Sequence, residues 1–233
     1  KMCSLLKNIK LPDTIESIPD GLFLGCSSLQ MINIPSSVKS IGLSSFFECK
    51  SLEIIQFPDS LESINDQSFA SCSSLCQITF NKLIKLIGVK AFENCTSLIE
   101  VDIPDNVSSI GDFAFSECSS LEKISISSLI EIIPKNAFNN CQNLKEVTID
   151  PYKTKFDQDT FRSMTILKYK NSVSCINKID FSKFYQLKQI IVPDSVSIIG
   201  KSSFKNFTSL KYVILPMIKK SDITKIKKTQ YMQ

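Results

Sequence analysis

The chain has 233 residues, with 27 Lys+Arg against 23 Asp+Glu, nine Cys, six Gly, no His and no Trp, for a net charge of +4. Without His there is no Ser-His-Asp or Cys-His hydrolase and no His-ligated zinc or iron site, and the scattered Gly form no GxGxxG or GxxxxGK loop to cradle a phosphate. Composition therefore points away from an enzyme, while an apolar share of 43% argues against wholesale disorder.

The opening residues Lys1 to Lys7 carry the charge of a signal peptide but lack its apolar run. The chain begins on Lys rather than Met, as a processed or trimmed N-terminus would. No stretch of about 18 apolar residues reads as a membrane span. From Cys3 onward one spacing governs the chain. Cys3, Cys26, Cys49, Cys72, Cys95, Cys118 and Cys141 are each 23 residues apart. The column continues in Met164, then Phe184 after a step of 20, then Phe207. A Phe precedes the grid point by three residues (Phe23, Phe46, Phe69, Phe92, Phe115, Phe138, Phe161, Phe181, Phe204), and a Leu follows it by three. Such a period defines stacked units that cannot close a core singly.

Each unit has two parts. The first reads L-x-x-I-x-I-P, as in Leu29 to Pro35; I-x-I alternates like a strand, and Pro ends it because it cannot donate to a ladder. The second, Val38 to Leu52 in one copy, spaces F-x-x-C-x-x-L so that a short helical turn would present three apolar groups to one side. Stacking buries these columns and pairs the strands into a parallel sheet. Residues 1–216 read as a single solenoid of about ten units, irregular over 150–180, where Asp150 to Phe156 replaces the usual loop and the following unit loses three residues. Residues 217–233 form a basic tail with five Lys and one Asp, which leaves the other 216 residues neutral with 22 charges of each sign. A neutral body, basic almost only through Lys, argues against specific nucleic-acid reading.

The L-x-x-I-x-I pattern is that of leucine-rich repeats. The stretches Ile87 to Leu98 and Ile110 to Leu121, which read I-G-x-x-A-F-x-x-C-x-S-L or close to it, resemble the BspA-like (Treponema pallidum-type) repeats over about residues 3–216. The resemblance implies an α/β repeat solenoid, right-handed, with a parallel sheet on the concave face and one short strand per unit. It also implies a non-enzymatic protein-binding scaffold of the kind found in surface and adhesion proteins, with host or matrix proteins as partners. The rival reading is an intracellular interaction or regulatory protein. Many free thiols fit a reducing compartment, so the cell surface and the cytoplasm both stand.

Chemistry in the repeat is sparse. The Cys column lacks the C-x-x-C spacing of a metal site. Its members would lie one rung apart, too far for a disulfide, so they read as small buried hydrophobes. Cys76 and Cys175 lie off the grid. Glu100, Asp102, Glu122 and Glu146 share a face with Lys123 and Lys145 and read as surface ion pairs rather than an acid–base pair. Sequons at Asn94, Asn106 and Asn206 arise largely from the repeat itself. No cofactor is called for.

The x positions of L-x-x-I-x-I point away from the core. Reading them down the stack selects Met31, Ile54, Tyr169, Ile191, Tyr212 and Ile214 as apolar residues on an otherwise polar face, the last four beside a row formed by Lys145, Lys168, Lys188 and Lys211. These are the candidate protein contacts. The last strand, with Tyr212, Val213, Ile214 and Leu215, has no convincing capping helix after it. Its edge is a candidate for homo-oligomerisation. The tail lysines Lys219, Lys220, Lys225, Lys227 and Lys228 read first as solvated, and could touch anionic lipid.

Overall fold

The computed structural model describes residues 3–157, 159–177, 184–200, 203–205 and 207–216. The tail with its five lysines, Phe181 and the sequon residue Asn206 lie outside them. Short strands follow one another in chain order: β1 (Ser17–Ile18), β2 (Ser40–Ile41), β3 (Ile54–Gln56), β4 (Ser63–Ile64), β5 (Gln77–Thr79), β6 (Leu86–Ile87), β7 (Glu100–Asp102), β8 (Ser109–Ile110), β9 (Lys123–Ser125), β10 (Glu146–Ile149), β11 (Ile166–Tyr169), β12 (Cys175–Ile176), β13 (Gln189–Ile191), β14 (Ile198–Ile199) and β15 (Tyr212–Ile214).

All pairings are parallel and build two columns. The I-x-I segments make the longer strands: β3 pairs with β5, and β7, β9, β10, β11, β13 and β15 form one six-stranded sheet. The bridge between Lys10 and Asn33 continues the same column toward the N-terminus. The x-I pairs before the Gly position make the second column, with β1, β2, β4, β6 and β8 in one sheet and β12 beside β14. Register advances by the 23-residue period, as in Ile54 opposite Gln77 and Glu100 opposite Lys123. Pro, Asn81, Ser127, Asp150 or Lys170 follows the long strand. Where Asn, Ser or Asp stands for Pro its side chain bonds the following turn, as Asn81 does by accepting from the Leu83 and Ile84 N–H groups.

The F-x-x-C segment is not the expected helical turn; no described residue is helical. It places a left-handed residue at every fourth position instead, with φ of 51–70° at Gly21 and Gly25, Ser44 and Glu48, Gln67 and Ser71, Lys90 and Asn94, Phe113 and Glu117, and Asn140. This pattern aims every second N–H along the stack. Gly21, Phe23 and Gly25 donate to the carbonyls of Leu43, Ser45 and Phe47 at 2.7–2.9 Å, while Leu24 and Cys26 close local turns. A helix would keep all these N–H groups to itself and leave the rungs unbonded here. A left-handed non-Gly residue costs about 1–2 kcal/mol, which the cross-rung bonds offset.

Side chains in this segment stack as the backbone does. Phe23, Phe46, Phe69, Phe92, Phe115, Phe138 and Phe161 form one pile with ring centroids 4.9–5.7 Å apart. The Cys column is buried as expected, but it is more than apolar filler. The thiols of Cys49, Cys72, Cys95, Cys118 and Cys141 donate to the carbonyls of Phe23, Phe46, Phe69, Phe92 and Phe115 at 3.1–3.3 Å. Burial raises the thiol pKa of Cys26, Cys49, Cys72, Cys95 and Cys118, and that of Cys49 reaches about 12, so each thiol keeps the proton it donates.

The irregular step lies one strand earlier than the sequence reading placed it. Glu146 pairs with Ile166, a step of 20, and Ile166 pairs with Gln189, a step of 23. The bridge from Ile132 to Lys155 still keeps the full period. Phe161 still stacks on Phe138, and the Thr160 N–H closes on the Asp157 carbonyl as the Ala137 N–H does on Pro134, both at the full period, whereas Met164 closes on Phe161 as Leu144 does on Cys141. The three residues are therefore lost between Phe161 and Met164.

Two predictions follow from this packing. A Cβ on Gly88 would lie 2.6 Å from the Asn65 carbonyl carbon and 2.7 Å from the Asp66 nitrogen, both backbone atoms of the rung below. Gly88→Ala should therefore destabilise by about 1–3 kcal/mol, read as a lower urea midpoint. The buried thiols set an alkaline limit. An unfolded Cys49 ionises near 9.0 whereas the folded one holds its proton to about 12. The unfolded state alone loses protons in that window, so stability is intact below pH 9 and falls as pH rises toward 12. Cys49→Ala should flatten this fall in melting temperature between pH 8 and 11.

Candidate interaction surface

The long strands expose alternate residues on one face of the sheet. Toward the N-terminus Met31 and Ile54 are 67% and 52% exposed and lie one rung apart, linked by the Glu53 N–H to Gln30 carbonyl bond. In the middle the face is charged, with Glu100, Lys123 and Glu146 opposite one another. Toward the C-terminus it turns apolar again. Tyr212 and Ile214 are 63% and 48% exposed, and Ile191 is half-buried.

Tyr169 does not join them. It is 4% exposed and pairs with Ile149 on the inward side of β11. The early loss of three residues shifts β11, so that Ile166 and Lys168 face outward where Tyr169 and Asn171 were expected. Ile166 is a further candidate for the outward apolar face, one the sequence reading does not select. The register places Ile166, Gln189 and Tyr212 in one row and Lys168, Ile191 and Ile214 in the next. Reading Met164 as the equivalent of Leu144 would have revealed it, because both close the same turn, onto Phe161 and Cys141.

The charges follow the new register. Lys168 leaves the lysine row and pairs with Glu146 at 2.5 Å, so the partner of Glu146 is neither Lys123 nor Lys145. Thr165 takes the vacated position, its N–H bonded to Lys145 and its carbonyl to Lys188. Lys145, Lys188 and Lys211 are exposed and form no ion pair among the described residues. They give the edge of the apolar patch a positive border. Val213 and Leu215 are half-buried and pack on the core, and β15 is the terminal strand of its sheet among the described residues.

Beside this patch, at the carboxyl ends of the strands, a cleft of about 520 Å³ is lined by Asp102, Asp105, Ser125, Thr148, Tyr169 and Lys170 among others. Lys170, Asp105 and Ser172 of its lining are held in hydrogen bonds. Lys170 spans several rungs to donate to Asp105 at 2.5 Å, and the Ser128 N–H donates to the same oxygen at 3.1 Å. Partial burial alone would raise the Asp105 carboxyl, but these donors outweigh it and hold it below the usual carboxylate range. Ser172 donates to Asp150, and Tyr152 both donates to the Asn177 carbonyl and accepts from its N–H. Burial, first of all, raises the Tyr169 and Tyr152 hydroxyls, keeping both neutral. This network braces the irregular loop against the neighbouring rungs.

No group of acidic residues or cysteines that could hold a metal ion occurs among the described residues. No described helix is long and apolar enough to cross a membrane. Cys76 is exposed on the sheet face and Cys175 half-buried. The sequon residues Asn94 and Asn106 are exposed.

Parallel strands at a fixed stride, each ended by a turn and backed by a packed column of Phe, Cys and Leu, define a leucine-rich repeat solenoid. The sequence matches the BspA type leucine rich repeat region, in six copies, over residues 1–118, 69–185 and 109–232, and the chain belongs to that family. It resembles the crystal structure of the T. pallidum leucine-rich repeat protein with 26% identity and a TM-score of 0.60, over 89% of this chain and 86% of that one. A leucine-rich repeat protein from Bacteroides ovatus is 24% identical with a TM-score of 0.56. That likeness speaks for the fold alone, and covers 89% of this chain but 60% of the other. No curated protein matches. Members of such families are typically protein-interaction scaffolds.

The shifted register makes a direct prediction. Hydroxyl-radical footprinting of the native chain should oxidise Met31 and Tyr212 and protect Tyr169. Equal modification of Tyr169 and Tyr212 would restore the unshifted register.

Proposed function

We propose that the chain is a non-enzymatic scaffold that binds a protein partner on the C-terminal part of its exposed sheet face. The observation that carries this reading is the clustering of Ile166, Ile191, Tyr212 and Ile214 in two adjacent rows, beside Lys145, Lys188 and Lys211, which form no ion pair among the described residues. Such a surface fits a partner with apolar side chains bordered by carboxylates. A buried Tyr at the centre of a contact carries a large share of its energy. Met31 and Ile54 form a smaller apolar pair and play the lesser part. The lack of His and the raised pKa of the buried thiols support a non-catalytic role. By family resemblance the scaffold is displayed at the cell surface and its partners are host or matrix proteins.

The test is binding of a panel of purified matrix proteins to the immobilised chain and to Tyr212→Ser/Ile214→Ser. The double variant should weaken any binding at least tenfold, about 1.4 kcal/mol, and Lys188→Glu/Lys211→Glu should slow association. An affinity unchanged in both variants removes this face from the reading.

A second reading has its own observation. β15 ends its sheet among the described residues and exposes Tyr212 and Ile214, so two copies could pair edge to edge. Light scattering over a concentration series separates the two. A dimer abolished by Val213→Pro favours self-association, and a monomer throughout leaves the face to a foreign protein.

A further inference from the structure

Among the described residues the turn ladder runs as far as the Phe115 rung and stops there. On the Phe115 rung, the Phe115 and Glu117 N–H groups donate to the carbonyls of Ala137 and Asn139, both at 2.8 Å. The Phe138 rung keeps the second half of that conformation: Asn139 and Cys141 close their local turns onto Asn136 and Phe138, and Asn140 is left-handed with φ of 60°, whereas Asn136, the counterpart of Phe113, is not left-handed. Its Phe138 and Asn140 N–H groups therefore aim at the Phe161 rung as their counterparts do. That rung is the shortened one, and neither N–H finds an acceptor among the described residues.

A cavity of about 270 Å³ opens between these two rungs, lined by Lys135, Phe138, Asn140, Asp159, Thr160 and Arg162 among others. Thr160 is 2% exposed, and its hydroxyl has no hydrogen-bond partner. Arg162, the chain's single arginine, lies 3.1 Å from the Asp159 carboxylate, and Lys135 lies 3.6 Å from it. Unsatisfied donors of this kind call for an acceptor. The Phe138 and Asn140 N–H groups, on either side of the locally bonded Asn139, offer an anion two backbone donors beside the two cations.

We propose that this break in the ladder is a binding site for a tetrahedral oxyanion, phosphate or sulfate, free or as an ester. The anion accepts from the Phe138 and Asn140 N–H groups and the Thr160 hydroxyl, and Arg162 and Lys135 neutralise it. Asp159 is the resident counter-ion that the ligand displaces from the two cations, so it opposes binding. The two cations exceed it by one charge, which leaves the site selective for an anion. This inference is independent of the protein-binding face, because it rests on the turn segments rather than on the sheet.

The test is a titration of the ¹⁵N-labelled chain with inorganic phosphate at pH 7 and constant ionic strength, with chloride as the balancing salt. Saturable shifts of the Phe138 and Asn140 amides are expected. Arg162→Ala and Lys135→Ala, both at exposed positions, should weaken binding about tenfold with melting temperatures unchanged, and Asp159→Asn should tighten it severalfold. Parallel titrations with sulfate and O-phosphoserine distinguish a free ion from an esterified group by which binds more tightly. Shifts no larger than those given by chloride, or an affinity indifferent to Arg162→Ala and Lys135→Ala alike, overturn the proposal.

Discussion

In a stack of rungs, each backbone N–H and C=O that is not used within its own rung can reach a partner only on the rung above or below. That constraint sets the 23-residue stride and explains most of the residue choices in each column. The turn segment shows it most clearly. Its left-handed residues are unfavourable singly, yet Ser, Glu, Gln, Lys and Asn all adopt them, because the conformation alone turns alternate N–H groups along the stack. Gly88 and Gly111 answer the same demand by letting one backbone approach the next more closely than a Cβ would allow. The buried cysteines answer it a third way. A thiol is small enough for the column and polar enough to give the Phe carbonyl of the rung below a second donor.

The period and the identity of the core columns were legible in the sequence, because burial is a property of side chains and side chains repeat visibly. The path of the backbone was less so. The spacing F-x-x-C-x-x-L places three apolar groups inward on a helix, and equally on a chain of alternating turns. Only the direction of the N–H groups separates the two, and no side chain records it. The cysteine column was read as apolar for the same reason: burial was visible and the carbonyl acceptor was not.

The misplaced step has a similar origin. Phe161, Met164 and Leu167 are all apolar, so each fits a core column whether the three residues are lost before or after them. Nor does the strand arbitrate, because Ile166, Leu167 and Tyr169 can each face either way. The structure decides through the turn bonds, in which Met164 closes on Phe161 as Leu144 closes on Cys141. Phe161 thereby serves two columns at once: it occupies the Cys position of its turn while its ring still stacks on Phe138 at 5.3 Å. A large ring there bridges a gap that a Cys would leave open.

That one shortening shapes both surfaces described above. On the sheet side it rotates Tyr169 into the core and brings Ile166 into line with Gln189 and Tyr212, which extends the apolar patch by a rung. It also moves Lys168 against Glu146, cancelling two charges that would otherwise separate the patch from the lysines flanking it. On the turn side the same loss takes acceptors away from Phe138 and Asn140 and opens the cavity beside Arg162. Within the strictly periodic part only the x positions distinguish one stretch of the face from the next, as the exposed Met31 and Ile54 differ from the charged Glu100 and Lys123. The departure from the period enlarges the C-terminal face that Ile191, Tyr212 and Ile214 already form. Restoring three residues between Phe161 and Met164 would return β11 to the common register and move Ile166 out of the patch. It would also give the Phe138 rung its missing acceptors. The two surfaces are therefore coupled through the length of one turn, although their chemistries are separate.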